Sequence, residues 1–338
     1  MGTETSDTTE TISRRSSDGP EMEPEPADGE GPEKVEANVG WRYTLSQIRR
    51  DRTALIGLYI IGFMSAVAAF AWIDSALLDY AIAEQFWYHP ERDPAGTVTL
   101  LPPVGFENVF GQGTWQHPLG TDHRGRDILV RLVYGSRIAM TVGIVSTGIG
   151  MTLGTIVGAV AGYWGGKIDD VLMRIVETIY AIPFLVLVIA FMAAFGRDLT
   201  FAMVGVSIAT VPVFARLIRS RVVSVREEVY IEAARAVGVR DRDIVLRHVI
   251  PNSFAPVVVQ ATLQVGVNIL TVAGLSFLGF GAQPPTPSWG QMLAQSRGFM
   301  LPDPWFSVWP GLAILVTVIG FNVVGDGLRD ALDPNLRN

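Results

Sequence analysis

The chain has 338 residues, a formal net charge of −7 and no cysteine, so disulfide scaffolding and thiolate chemistry are both excluded. Apolar residues make up 49% and charged residues 17%, mean hydropathy is +0.32, and the apolar residues fall in long runs. That pattern excludes an ordinary soluble domain and points to a polytopic membrane protein.

Residues 1–40 carry eleven acidic side chains against Arg14, Arg15 and Lys34, and nearly lack large apolar groups. Such a segment buries too little surface to offset its ordering entropy. It is expected to be a disordered acidic tail, either solubilising or binding a partner. It lacks the basic start and apolar run of a signal peptide. Lysine is confined to Lys34 and Lys167. With the acidic tail and the lack of cysteine, this hints at a high-salt setting.

Residues 41–338 are expected to form one transmembrane domain. Six stretches are long enough, or nearly so, to cross about 30 Å of hydrocarbon as helices. They run from about 54–73, 138–162, 171–195, 199–218, 254–279 and 308–324. The expected fold is therefore an all-α integral membrane protein with six transmembrane helices. Arg49, Arg50 and Arg52 precede the first span and place the N-terminus inside; six spans then return the C-terminus to the cytoplasm. The loop at about 219–252 agrees, since it holds Arg219, Arg221, Arg226, Arg235, Arg240, Arg242 and Arg247. Arg124, Arg126, Arg131 and Arg137 conflict, but they lie on an outer segment of about 60 residues, a length at which charge bias weakens. Trp72, Trp87, Trp289, Trp305 and Trp309 fall near the outer boundary, where an aromatic belt is expected.

Ahead of the second span, residues 127–134 put Ile128, Leu129, Leu132 and Val133 on one face. The pattern predicts a short interfacial helix that either braces the span or offers a docking platform. Within the second span, Gly150, Gly154, Gly158 and Gly162 recur every fourth residue. They form a ridge that lets another backbone approach closely, for tight packing or for an interface that moves during transport. Arg174 and Glu177, one turn apart near an end of the third span, are placed to pair. Pro183, Pro212 and Pro256 each kink or begin a helix. In the fifth span, Gln260, Gln264 and Asn268 share one face; they either bond neighbouring helices or line a translocation path.

Several chemistries are missing. Gly165-Gly166-Lys167 is followed by Ile168, and Ala161 stands where an upstream glycine belongs, so no phosphate loop is present. No mid-membrane carboxylate or histidine offers an ion site for a self-powered carrier. His117 and His123 lie near Asp122 and Asp127 but without a recognised metal-ligand spacing. No catalytic residue, metal site or cofactor is expected in this chain, and energy is expected from another subunit.

The loop after the fourth span is the most informative segment. A helix is expected from about Val222 to Val237, with Gly238 as its left-handed stop. Asp241 is expected to cap the next short helix, and Pro251 to open the approach to the fifth span. Ala233, Ala234 and Ala236 keep the first helix slim enough for a groove, and Glu232 and Arg235 give it charged handles.

The run Glu232-Ala233-Ala234, then Gly238, then Pro251 about a dozen residues on, resembles the signature of permease subunits of ATP-driven importers. His117-Pro118-Leu119-Gly120-Thr121-Asp122 with Gly125-Arg126-Asp127 resembles the stretch before span two in dipeptide and oligopeptide permeases. Leu275-Ser276-Phe277-Leu278-Gly279-Phe280-Gly281, followed by Pro284-Pro285-Thr286-Pro287-Ser288-Trp289-Gly290, is similar to their segment after span five. The Gly165-Gly166 and Asp169 turn before Met173-Arg174 fits as well. The resemblance covers about residues 45–335 and is closest to the C-type permease of the dipeptide/oligopeptide/nickel group. Ile250 stands where Leu is commoner.

The resemblance implies a type I ABC importer permease of the cell membrane, not itself an enzyme. It implies a second, homologous permease, two cytoplasmic ABC ATPases that bind ATP and magnesium, an extracytoplasmic solute-binding protein and the lipid bilayer as partners, and no nucleic acid. Glu232–Gly238 would be the coupling helix seated in one ATPase. The cargo would be dipeptides or oligopeptides, with nickel or another small solute as the alternative within the family. A stand-alone secondary carrier is the rival outside it.

Overall fold

Helix α1 (Arg52–Leu77) begins where the Asp51 carboxylate accepts the Thr53 N–H at 2.8 Å. The computed structural model describes residues 51–94 and 98–332; the acidic tail, Arg49 and Arg50 lie outside them. A short helix α2 (Ala81–Phe86) follows, its first N–H groups held by the buried Asp74. The segment before the second span folds over the end of the bundle and carries a small antiparallel hairpin, β1 (Glu107–Asn108) with β2 (Gly111–Gln112). This is called the hairpin end below.

Helix α3 (Ile128–Trp164) has 37 residues, about 55 Å at helical rise. Asp127 caps it by accepting the Val130 N–H at 2.9 Å. The stretch at 127–134 is therefore not a separate interfacial helix. It is the first two turns of α3, with Ile128, Val130, Arg131 and Tyr134 buried. Of the face expected from sequence only Ile128 is fully buried; Leu129, Leu132 and Val133 are half-buried, and Val130, Arg131 and Tyr134 take the enclosed positions.

The expected third span is broken. Helix α4 (Gly166–Ala181) and helix α5 (Phe184–Phe195) meet at 90° across Ile182-Pro183. Proline disfavours the helical region for the residue before it, so Ile182 is extended and the helix stops there. Helix α6 (Leu199–Arg226) then starts at Asp198, which accepts the Thr200 N–H. It continues through the charged turns beyond the expected boundary at 218.

The glycine ridge explains how α3 and α6 lie. Gly150 faces Ser207 and Thr210, Gly154 faces Val211 and Phe214, Gly158 faces Ala215 and Ile218, and Gly162 faces Arg219 and Val222. Both sets of numbers rise together, so the two helices run parallel. The bent pair α4–α5 must therefore carry the chain back along their length; taken as one span, it would make six with the five helices long and apolar enough to cross a membrane.

Past α6 come α7 (Val229–Ala236), α8 (Asp241–Ile244), a π-helical turn (Val245–Val249) and α9 (Ile250–Ser253). Helix α10 (Ala255–Phe277) returns through the bundle. Helix α11 (Trp289–Ser296) lies at the hairpin end, and helix α12 (Trp305–Leu332) closes the fold against α10 and α1. Gly320 meets Ile60 and Ile61, and Gly327 meets Ala54, so α12 and α1 run antiparallel with glycines at the close approach.

The expected aromatic belt is only partly present. Trp72 and Trp87 are exposed, and Trp305 and Trp309 stack at 5.7 Å. Trp289 is buried instead, lies over Gly135, and donates its indole N–H to the Leu132 carbonyl at 2.9 Å. Its polar handle is satisfied inside the protein. Arg174 and Glu177 form no ion pair; Asp169 instead accepts two hydrogen bonds from the Arg219 guanidinium.

Candidate functional site

Two places concentrate the residues singled out by sequence: the loop between α6 and α10, and the polar face of α10. Helix α6 ends at Arg226, and Glu227-Glu228 form a turn before α7 begins. The expected continuous helix over 222–237 is thus two helices, because Glu228 is extended. Helix α7 is eight residues long and buries only Ile231. Glu232, Ala233 and Arg235 are exposed on it, Ala234 is half-buried, and Val229, Tyr230 and Val237 leave apolar surface open to solvent.

The stop at Gly238 has the geometry that the sequence suggests. Its φ is +82°. The Gly238 N–H donates to Arg235 O at 2.9 Å, and the Val239 N–H reaches back to Ala234 O at 3.1 Å. These two bonds form a Schellman closure, which satisfies carbonyls that the last turn would otherwise leave open. No heavy atom lies within 4 Å of where a Cβ would stand, so glycine is selected by conformation and not by crowding.

Asp241 does not cap α8; Arg240 occupies the cap position without a side-chain bond. The Asp241 carboxylate instead accepts the Tyr163 hydroxyl at 2.5 Å. Pro251 lies in the first turn of α9, which follows the π-helical turn directly. A proline ring crowds the carbonyl four residues back, and a widened turn relieves that.

On α10, Asn268 is fully buried and Gln264 nearly so, while Gln260 is half-buried. The Asn268 amide donates to Thr147 on α3 at 2.9 Å, and its oxygen accepts from Gln264 at 3.1 Å and from Thr210 on α6 at 3.4 Å. Asn268 thus ties three helices together. Both side chains lie buried within the bundle.

The hairpin end is held by a second buried network. The His117 Nδ1 lies 2.8 Å from the Asp127 carboxylate. Arg126 donates to Asp122 at 2.8 Å, and both Arg126 and Arg131 reach Gln295 on α11. His123 stacks between Phe299 and Phe306, and burial lowers its pKa. Among the described residues no group of three acidic or histidine side chains could hold a metal. Asp303 is buried without a hydrogen-bond partner on either carboxylate oxygen. Burial pushes its pKa up to about 6.

Sequence reasoning missed Tyr163, Thr147, Thr210 and Arg226 as contact makers. Tyr163 sits just before Trp164-Gly165-Gly166, and an amphipathic aromatic residue at a helix end was the available signal.

Residues 154–338 match the family described as binding-protein-dependent transport system inner membrane component. The chain is 40% identical over 319 residues to a dipeptide transport system permease protein, DppC, of Alkalihalophilus pseudofirmus, covering 94% of this chain and 98% of that protein. This chain belongs to that family. It is also 45% identical over 244 residues to a glutathione transport system permease protein, GsiD, of Pectobacterium atrosepticum, covering 70% of this chain and 81% of that protein. The structure overlays a chain of the MetNI methionine ABC transporter with a TM-score of 0.51 at 22% identity, covering 61% of this chain and 98% of that one. That likeness shows the type I ABC importer permease fold. The permease is a multi-pass membrane protein.

Proposed function

We propose that this permease is one of two membrane subunits of an ATP-driven importer for dipeptides or oligopeptides in the cell membrane, and that α7 is its coupling helix. The observation that carries the proposal is α7 itself. It is a short helix with a fixed end that buries only Ile231 fully, and it leaves Val229, Tyr230, Glu232 and Val237 exposed. An apolar patch with a charged edge, on a rigid element, fits a groove on another protein. The named relatives, which carry dipeptide and glutathione transport in their descriptions, support a peptide cargo.

In this reading the arginine-rich loop end, with both termini, faces the cytoplasm. A second, homologous permease completes the pathway. Two ABC ATPases seat the coupling helices, and a solute-binding protein delivers cargo at the hairpin end. ATP binding draws the ATPases together and moves α7; hydrolysis releases it. The permease then alternates between two states biased by nucleotide free energy. ATP and magnesium stay with the partners, and this chain contributes motion and a pathway.

The test is co-purification followed by reconstitution. The complex should contain a second permease and P-loop ATPases, and should import a labelled dipeptide in proteoliposomes only when ATP and the binding protein are supplied. Glu232→Lys should lower recovery of the ATPases. A chain that purifies alone and transports alone would overturn the proposal.

A further inference from the structure

Helix α7 is joined covalently to α6 on one side and, through residues 237–254, to α10 on the other. It has no direct chain connection to α3, yet its Arg235 reaches α3 both over the Tyr163 ring and by way of Asp241 on α8. Tyr163, on the last turn of α3, is buried to 4% exposure and donates its hydroxyl to Asp241 at 2.5 Å. The Arg235 guanidinium of α7 lies over the same ring, 5.2 Å from its centroid, and its Nε is 4.0 Å from the Asp241 carboxylate. Ile231, the one buried residue of α7, belongs to the same apolar cluster as Tyr163, Phe214, Ile218 and Val222.

The end of α3 is gripped from α6 as well. Arg226 donates to the Gly162 and Tyr163 carbonyls at 3.3 and 3.1 Å, which are acceptors that a helix C-terminus leaves open. Gly162 is also the last member of the ridge, against Arg219 and Val222. The contact at Tyr163 therefore sits where the loop and the α3–α6 seam meet.

We propose that Tyr163 is a positioning residue that fastens the coupling helix to α3, so that displacement of α7 enters the α3–α6 glycine seam directly and not only along the chain through α6 and α10. This rests on the docking role proposed for α7. The hydroxyl fixes Asp241, and Asp241 with the ring fixes Arg235; a hydrogen bond to a charged acceptor is among the stronger single contacts available. When α7 moves, α3 moves with it, and the seam transmits the motion because interlocked backbones shift as a unit.

The experiment uses the complete transporter in proteoliposomes: both permeases, the ATPases and the binding protein. The readout is cargo imported per ATP hydrolysed. Tyr163→Phe keeps the ring and removes only the hydroxyl. It should assemble at the normal yield and hydrolyse ATP, but import about tenfold less per ATP, the scale of one charge-assisted hydrogen bond. Asp241→Ala should do the same, and the double variant should be no worse than either single one, because both remove one contact. Asp241→Asn keeps an acceptor oxygen and should restore most of the coupling.

Normal coupling in Tyr163→Phe would overturn the inference. So would additive losses in the double variant, or a loss that only tracks a lower yield of assembled complex. Gly238→Val and Glu232→Lys run beside them separate the two levels. If these uncouple and Tyr163→Phe does not, only the role of Tyr163 falls. If neither of them affects coupling, the docking role of α7 falls, and Tyr163 with it.

Discussion

Substituting alanine at Gly158 tests the α3–α6 seam with a single methyl group. A Cβ built there stands 2.2 Å from the Ala215 carbonyl oxygen and 2.4 Å from Ile218 Cγ2. Ordinary contact begins at 3.4 Å, so the shortfall against the carbonyl is 1.2 Å. That neighbour is backbone of α6 and cannot rotate away, so the helices must part. Overpacking of this kind costs about 1–3 kcal/mol, and parting also loosens the contacts at Gly154 and Gly162. Against this, alanine gains about 1 kcal/mol over glycine in a helix interior. The expected net effect is destabilisation by about 1–2 kcal/mol. Gly148 supplies the control, because it lies on the same helix with nothing within 4 Å of its Cβ position. Gly148→Ala should be neutral or stabilising by up to about 1 kcal/mol. The assay is thermal unfolding of the two purified variants in one detergent, read beside the wild type. A Gly158→Ala protein as stable as Gly148→Ala would refute the reasoning, since it would mean that the seam has room the geometry denies.

Three further outcomes follow from other parts of the molecule. Gly238→Val forces a β-branched residue to φ +82°; the left-handed conformation costs about 1–2 kcal/mol, so α7 should fray and import per ATP should drop while ATP hydrolysis continues. Gly238→Asn, which tolerates that conformation, should do less harm. Asn268→Leu leaves Gln264 and Thr147 without their partner; unpaired buried polar groups cost about 1–3 kcal/mol, and an unchanged melting temperature would count against a three-helix clamp. Asp303→Asn removes a buried acid whose pKa stands at about 6 against 3.8. The native state binds the proton more tightly, so the stabilisation is fully present below pH 3.8 and is lost as pH rises through about 6. The Asn variant should therefore match the wild type near pH 4 and exceed it at pH 7 by about 1–3 kcal/mol. Equal stability at both pH values would show that the carboxylate has a partner.

The apolar runs were legible because membrane crossing is a local property: a helix must be long and greasy over its own length. Five of the six runs fall on helices long and apolar enough to span, the third falls on the bent pair α4–α5, and the errors lie where tertiary contact overrides the run. The start of α3 is apolar apart from Arg131, and that guanidinium is buried because Asp122 lies 3.6 Å away and Gln291 and Gln295, about 160 residues on, accept from it. No local pattern announces such a partner. The break at Pro183 was visible as a proline, but its 90° angle was not, since proline permits a kink without setting its size. Trp289 looked like a belt residue until Gly135 opened a seat for it.

The same division runs through the candidate site. Gly238 could be placed as a helix stop because a Schellman closure joins residues within one turn of each other. Asn268 could be placed on a face with Gln264, because helical periodicity is also local; whether that face met water or protein depended on Thr147 and Thr210, which lie on other helices. Tyr163 shows the limit most clearly. Its partner Asp241 is 78 residues on, across two crossings and the loop. The sequence-based expectation gave Asp241 the commonest role for an aspartate before a helix, which is to cap it. Capping requires only a nearby N–H, so it is the default wherever nothing else competes. Here a buried hydroxyl at the end of α3 competes and takes the carboxylate, and the cap is left to Arg240. A local rule gave way at the point where the loop is tied to the bundle, and that is where a force-bearing contact would be expected to displace a merely stabilising one.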